Sequence, residues 1–217
     1  MDAWPRHPSP RLDTQKKTLA ASERDASKRA DFRARIGERR ASDFVIVDEM
    51  GSNLNLTPRY ARAPQGERAY GSVPRNTPPN TTLIAALSLE GMGAAMVLDG
   101  ATDRAAFEVY VEQFLVPTLR PGMVVVWDNL SAHKSKRVQQ MILQSGCELW
   151  PLPAYSPDLS PIEEAFSKLK TGLRRAGART AEVLLEAIAQ GLEAITPADA
   201  RGSFTHCGYR LLHAQDH

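Results

Sequence analysis

Two short runs, Phe44-Val45-Ile46-Val47 and Met123-Val124-Val125-Val126-Trp127, constrain this chain more than any other feature, because each is apolar on both faces. A strand with no polar face belongs inside a sheet covered on both sides. Each run ends on an acid, Asp48 and Asp128. A third acid, Glu163, opens the helix-like stretch PIEEAFSKLK, just after the turn-rich AYSPDLSP. A carboxylate at the end of a buried strand is held on a rigid element yet exposed at the sheet edge, which suits it to grip a cation. Three that converge can hold two divalent ions ~4 Å apart, an arrangement that breaks and rejoins phosphodiester bonds.

The rest of the pattern surrounds these runs with helices. Thr81–Leu89 and Gly93–Leu98 read as two strands joined by Glu90-Gly91-Met92. Asp103 caps a helix whose Phe107, Tyr110, Val111, Phe114 and Leu115 make one apolar stripe. Ser131 is expected to cap a second helix carrying Val138, Met141 and Ile142, which Gly146 stops before a strand over 147–152. The helix from Pro161 buries Ile162, Phe166, Leu169 and Leu173. A last helix over 181–195 is expected to bury Val183, Leu184, Ala187, Ile188, Leu192 and Ile195. Residues 57–80 are dense in Pro, Gly and Arg and read as a long loop or a ragged hairpin. The order β-β-β-α-β-α-β-α-α implies an α/β fold, a mixed five-stranded sheet with helices on its faces.

Each acid also has a plainer explanation. Asp48 and Asp128 are acceptable strand-end turn residues, and Asp128-Asn129 also suits a helix cap. Ser160-Pro161-Ile162-Glu163 satisfies a capping box, in which the Glu163 carboxylate returns to the Ser160 amide. Glu49 points to the opposite face of its strand from Asp48. Glu164 lies ~100° around the helix from Glu163 and is spaced to pair with Lys168.

Net charge is +2, but residues 1–40 hold eleven Lys/Arg against six Asp/Glu, leaving sixteen against nineteen for the remainder. A basic arm on a mildly acidic body suits contact with a phosphate backbone, and equally suits a solvated tail. Within it, 22–40 reads as a basic helix with a thin apolar stripe (Ala26, Ala30, Phe32, Ile36), expected to pack poorly or to need a partner. No stretch approaches ~18 consecutive apolar residues, so no membrane span is expected. Cys147 and Cys207 are isolated and lack metal-type spacing, so free thiols in a reducing cytoplasm are expected.

The segments VIVDEMG, VVVWDNLSAHKS and LPAYSPDLSPIEEAFSKLK resemble the three catalytic blocks of the DDE transposases, most of all the mariner-like superfamily in its bacterial insertion-sequence branch. The 34 residues between Asp128 and Glu163 agree with the spacing of that superfamily. The resemblance covers residues 43–180 well and TPADARGSFTHCGYR more loosely. It implies an RNase H-like fold with Asp48, Asp128 and Glu163 as catalytic metal ligands for two Mg²⁺ (or Mn²⁺) ions. The implied activity is DNA cleavage at transposon ends, followed by strand transfer into target DNA at TA sites. Another RNase H-like nuclease and a non-catalytic DNA-binding remnant are the alternatives.

His133 stands where the family also has a histidine, and orients the second-block loop, touches a phosphate or is a surface residue. Arg59, Arg62, Arg68 and Arg75, interleaved with Tyr60 and Tyr70, are candidates for a DNA clamp or a merely soluble loop. Lys168, Lys170, Arg174 and Arg175 follow Glu163 and are candidates for phosphates near the site. The family normally carries helix-turn-helix modules ahead of its catalytic domain, whereas about forty residues precede the first catalytic strand here. The expected organisation is an arm over 1–40, a remnant of the connection to those modules, and a catalytic domain over 41–217. The chain then reads as the second frame of a split transposase or as a truncated remnant. It is expected to act as a homodimer on DNA, with a separately encoded helix-turn-helix subunit as a candidate partner, and to bind DNA in a salt-sensitive, largely non-specific way.

Overall fold

Strand alternation organises the molecule. The structure, a computed structural model, describes residues 21–74, 76, 80–128 and 135–211. Five strands form one sheet: β1 (Phe44–Ser52), β2 (Thr81–Ser88), β3 (Gly91–Asp99), β4 (Val124–Trp127) and β5 (Glu148–Pro151). Their order is β3-β2-β1-β4-β5, with β1, β2 and β3 antiparallel and β1, β4 and β5 parallel. This is the mixed, helix-flanked RNase H-like sheet that the sequence implies.

The even-numbered residues Phe44, Ile46, Met50, Val124 and Val126 enter one core, together with α1 (Ala26–Gly37), α4 (Pro161–Ala176), α5 (Ala181–Glu193) and α6 (Pro197–His206). The odd-numbered Val45, Val47, Val125 and Trp127 enter the other, against α2 (Arg104–Tyr110) and α3 (Lys136–Gln144). Successive side chains alternate between faces, so runs apolar at every position serve both cores at once.

Several local expectations are corrected. The β2–β3 turn is tighter than expected, since Ser88 already pairs with Gly91. Gly91 has φ +113°, and a Cβ there would meet the Ile195 carbonyl at 3.0 Å, so only glycine fits. The Asp103 carboxylate caps α2 by accepting from the Ala106 amide at 2.8 Å. The chain then widens into a π turn over Val111–Leu115, which breaks the 3.6-residue period and leaves Phe114 37% exposed while Val111 and Leu115 stay buried. Helix α3 starts at Lys136 with Ser135 as its N-cap, while the expected cap, Ser131, lies outside the described residues. The Ser135 hydroxyl donates to Glu108 on α2. In α5, Leu184 and Ile188 are buried but Val183 turns outward.

Two helices depart further from expectation. Helix α1 docks on the body, burying Phe32 and Ile36, with Arg29 buried in place of the alanines. Phe32 meets Trp150 edge-on at 6.4 Å, and the Arg35 guanidinium lies 3.8 Å over the Trp150 ring. Helix α6 was not expected at all. Thr196 and Asp199 form a reciprocal capping box at its start, with Pro197 in the first turn.

Candidate active site

Asp48 and Asp128 are neighbours because β1 and β4 are parallel and in register. Val47 pairs with Trp127, so an aspartate follows on each side: Asp128 stands just past the end of β4, whereas Asp48, expected to end its strand, lies within β1, which runs on to Ser52 paired with β2. Both share the even parity of the core that faces α4, the helix that carries Glu163. Glu49, of odd parity, faces away. Asp48, Asp128 and Glu163 together line one open cleft of about 430 Å³, floored by Val126 and walled by Leu152–Pro157. One Asp48 carboxylate oxygen accepts from the Glu49 amide at 2.7 Å. Among the described residues no three His, Cys, Asp or Glu side chains are close enough to hold an ion as they stand.

Glu163 is not consumed by a helix cap. The Ser160 side chain makes no cap hydrogen bond, and the Ser160 amide donates to the Pro157 carbonyl at 3.0 Å. The Glu163 amide donates to the Ser160 carbonyl at 3.2 Å, and the Glu163 side chain is exposed on the cleft.

The turn ahead of Glu163 is tied from several directions. The Leu152 amide donates to the Trp127 carbonyl at 2.8 Å, and the buried Tyr209 hydroxyl donates to the Leu159 carbonyl at 3.1 Å. Three arginines from or beside α1 converge on Asp158. Arg29 forms a two-pronged pair at 2.6 and 3.0 Å, Arg24 reaches it at 2.8 Å and Arg33 at 3.2 Å. The Arg29 side chain is only 8% exposed. These ties hold the Asp158 carboxyl below the usual carboxylate range, the Arg29 hydrogen bond being the largest cause. Sequence reading missed this cluster. The available signal was the i, i+4 spacing of Arg29 and Arg33, which puts both on one helix face.

The remaining candidates separate. Lys168 is committed to the fold, since its ammonium donates to Asp199 at 2.7 Å and to the Ala194 carbonyl at 3.0 Å. Its expected partner, Glu164, pairs instead with His206. Lys170 and Arg174 stand seven and eleven residues beyond Glu163, about two and three turns, on the same face of α4. Arg62 and Arg68 are exposed on the long loop, as are Tyr60 and Tyr70. Arg179 was not anticipated. Its guanidinium donates to the Leu54 and Leu56 carbonyls and ties the base of that loop to the end of α4. His133, Asn129 and Arg75 lie outside the described residues.

Sheet order, crossing parity and an acid-lined cleft at the β1–β4 edge define an RNase H-like domain. Residues 43–184 match the family model described as DDE superfamily endonuclease, and the chain belongs to that family. Its fold is that of the Mos1 transposase paired-end complex with the left transposon end (TM-score 0.73, 15% identity, 91% of this chain and 64% of that chain). The Mos1 mariner paired-end complex with Mn agrees similarly (TM-score 0.72, 15% identity, 90% and 64%). The Mos1 transposase catalytic domain with Raltegravir and Mg gives a TM-score of 0.61 at 15% identity, covering 82% of this chain and 85% of that one. The chain thus spans under two thirds of the length of the Mos1 chains in the paired-end complexes. No curated protein matches it. Among the described residues, no helix is long and apolar enough to cross a membrane.

Proposed function

We propose that the chain is the catalytic part of a DNA transposase, cutting DNA at the ends of a mobile element and joining the 3′ end to target DNA. The carrying observation is that Asp48, Asp128 and Glu163, from three separate parts of the chain, line one cleft. Their donor chemistry fits a hard divalent ion, because all three are carboxylates and Mg²⁺ prefers oxygen ligands. They are the residues that would hold Mg²⁺ or Mn²⁺, two ions in the family pattern; the Mos1 complexes include ones described with Mn and with Mg. When bound, such ions neutralise a phosphodiester and stabilise the attacking and leaving oxygens.

The protein's own share is placement. Register holds the two aspartates side by side, Asp48 within β1 and Asp128 just past the end of β4, and the tied turn sets the start of α4. Lys170 and Arg174 extend from Glu163 along α4 for roughly 16 Å, a track for the phosphates of the DNA that enters the cleft. Arg62 and Arg68 belong to a loop able to follow the duplex further out. Transposon ends and target DNA, TA sites, a homodimer and a separate end-reading helix-turn-helix subunit belong to this proposal by family likeness. So does the division into an arm over 1–40 and a catalytic domain over 41–217.

Mn²⁺-dependent cleavage of plasmid DNA, by the wild type and by Asp128→Asn, tests the assignment. The variant is expected to lose about 100-fold or more, since the charge stabilisation removed is several kcal/mol. Equal activity of the two rejects the triad. Joining of a pre-cut 3′ end to plasmid distinguishes a transposase from a nuclease that only nicks.

A further inference from the structure

Only two non-glycine residues among those described have a left-handed backbone. Ala94 (φ +40°) sits at the β-bulge of β3, and Tyr155 (φ +55°) sits in the cleft wall. Glycine or asparagine adopts this conformation readily; a bulky aromatic residue does not. Such a backbone persists where its surroundings over-determine it. Here the Leu152 amide is tied to Trp127, the Ser156 hydroxyl donates to the Ala154 carbonyl at 3.1 Å, and Asp158 is gripped by Arg29. The turn therefore imposes the conformation on whatever residue stands at 155.

Packing does not call for the ring either. Ser156 and Leu159 are buried, but Tyr155 is 58% exposed and shares the cleft with Asp48, Asp128 and Glu163. An aromatic ring at a backbone position suited to glycine, unused by the core, is explained by something that enters the cleft. Among the described residues, the lining of this cleft carries three carboxylates and no Lys or Arg, so a phosphate is held there only through bound divalent ions. A ring face offers a second hold, because every nucleobase presents a π surface and stacking tolerates any sequence.

We propose that Tyr155 is a positioning residue whose ring stacks on a nucleobase of the DNA in the cleft and so sets the depth at which the adjoining phosphate meets the acids. The inference rests on the cleft being the DNA site proposed above. The test uses the full chain and a tailed duplex carrying 2-aminopurine, in Ca²⁺, which brings the charge of Mg²⁺ with looser coordination. Wild type and Tyr155→Phe are expected to quench the fluorescence equally. Tyr155→Gly is expected to leave it unquenched and to bind about fivefold more weakly or worse. Its Tm is expected at or above that of the wild type, because glycine relieves the backbone.

No quench with wild type, an undiminished quench with the glycine variant, or a Tm for that variant several degrees lower each overturns the proposal. A quench lost in Tyr155→Phe assigns the contact to the hydroxyl and overturns stacking. The fluorescence requires no cleavage, so the two readings fail separately. A chain that quenches but never cleaves in Mn²⁺ rejects the catalytic reading alone, whereas one that cleaves but quenches equally with glycine at 155 rejects only this one.

Discussion

The turn over 152–160 and the loop over 57–80 are both rich in proline, and both carry exposed tyrosines, yet the fold treats them in opposite ways. The turn buries Ser156 and Leu159, receives three arginines on Asp158 and accepts the Tyr209 hydroxyl. The loop is tied mainly at its base, through Arg179 and the Asn53–Asn80 side-chain pair at 3.3 Å, and Tyr60 and Tyr70 are each 91% exposed. Composition therefore marks where the chain leaves regular structure, and tertiary ties determine whether it becomes rigid there. The turn that presents Glu163 is the tied one.

The largest way to erase the difference is Arg29→Ala. It leaves Asp158 with two more exposed arginines and is expected to cost roughly 1–3 kcal/mol in urea denaturation, the Asp158 side being partly screened. Misplacing Glu163 by a fraction of a turn is expected to slow Mn²⁺-dependent cleavage by about tenfold or more. Arg33→Ala, with a side chain 59% exposed, is the control, expected to stay within about 0.5 kcal/mol of wild type.

Acid probes the same tie less severely. The Asp158 carboxyl is held below its ordinary value of 3.8. A carboxylate lowered in the folded state contributes stability above its unfolded pKa and loses it as pH falls through the folded one. The Tm of the wild type is therefore expected to fall more steeply below about pH 4 than that of Asp158→Asn.

The smallest expected effect is on the loop. Arg179→Ala is expected to cost under about 1 kcal/mol, because its hydrogen bonds are largely exposed. It is nonetheless expected to speed trypsin cleavage at Arg59, Arg62 and Arg68 several-fold. No change in that rate would place the loop's order elsewhere than at its base.

Much of the fold around the candidate site was legible in the sequence. The two apolar runs read as inner strands and are so, but the acid that ends each run marks a strand end only for Asp128; β1 carries on past Asp48 to Ser52 because its polar-looking continuation still pairs with β2. The Pro-initiated helix carrying Glu163 announced itself by its stripe of Ile162, Phe166, Leu169 and Leu173. Helix α6 was also open to reading, since Thr196-Pro197-Ala198-Asp199 spells a capping box. The π turn after Tyr110 was not, because a strict 3.6-residue period cannot reveal where a helix widens. Lys168 looked like a phosphate ligand because spacing along one helix says nothing about Asp199 arriving from another.

Local pattern by itself determined most of the strands and helices, the two-faced apolar character of β1 and β4, and the start of α4 just ahead of Glu163. These depend on periodicity and on residues close in the chain. Only the folded molecule decided that β1 and β4 run in register, that even parity faces α4, and that α1 reaches across 129 residues of sequence to hold Asp158. Those outcomes depend on which buried surfaces meet, and burial energy is summed over the whole core, so no single stretch of residues encodes them.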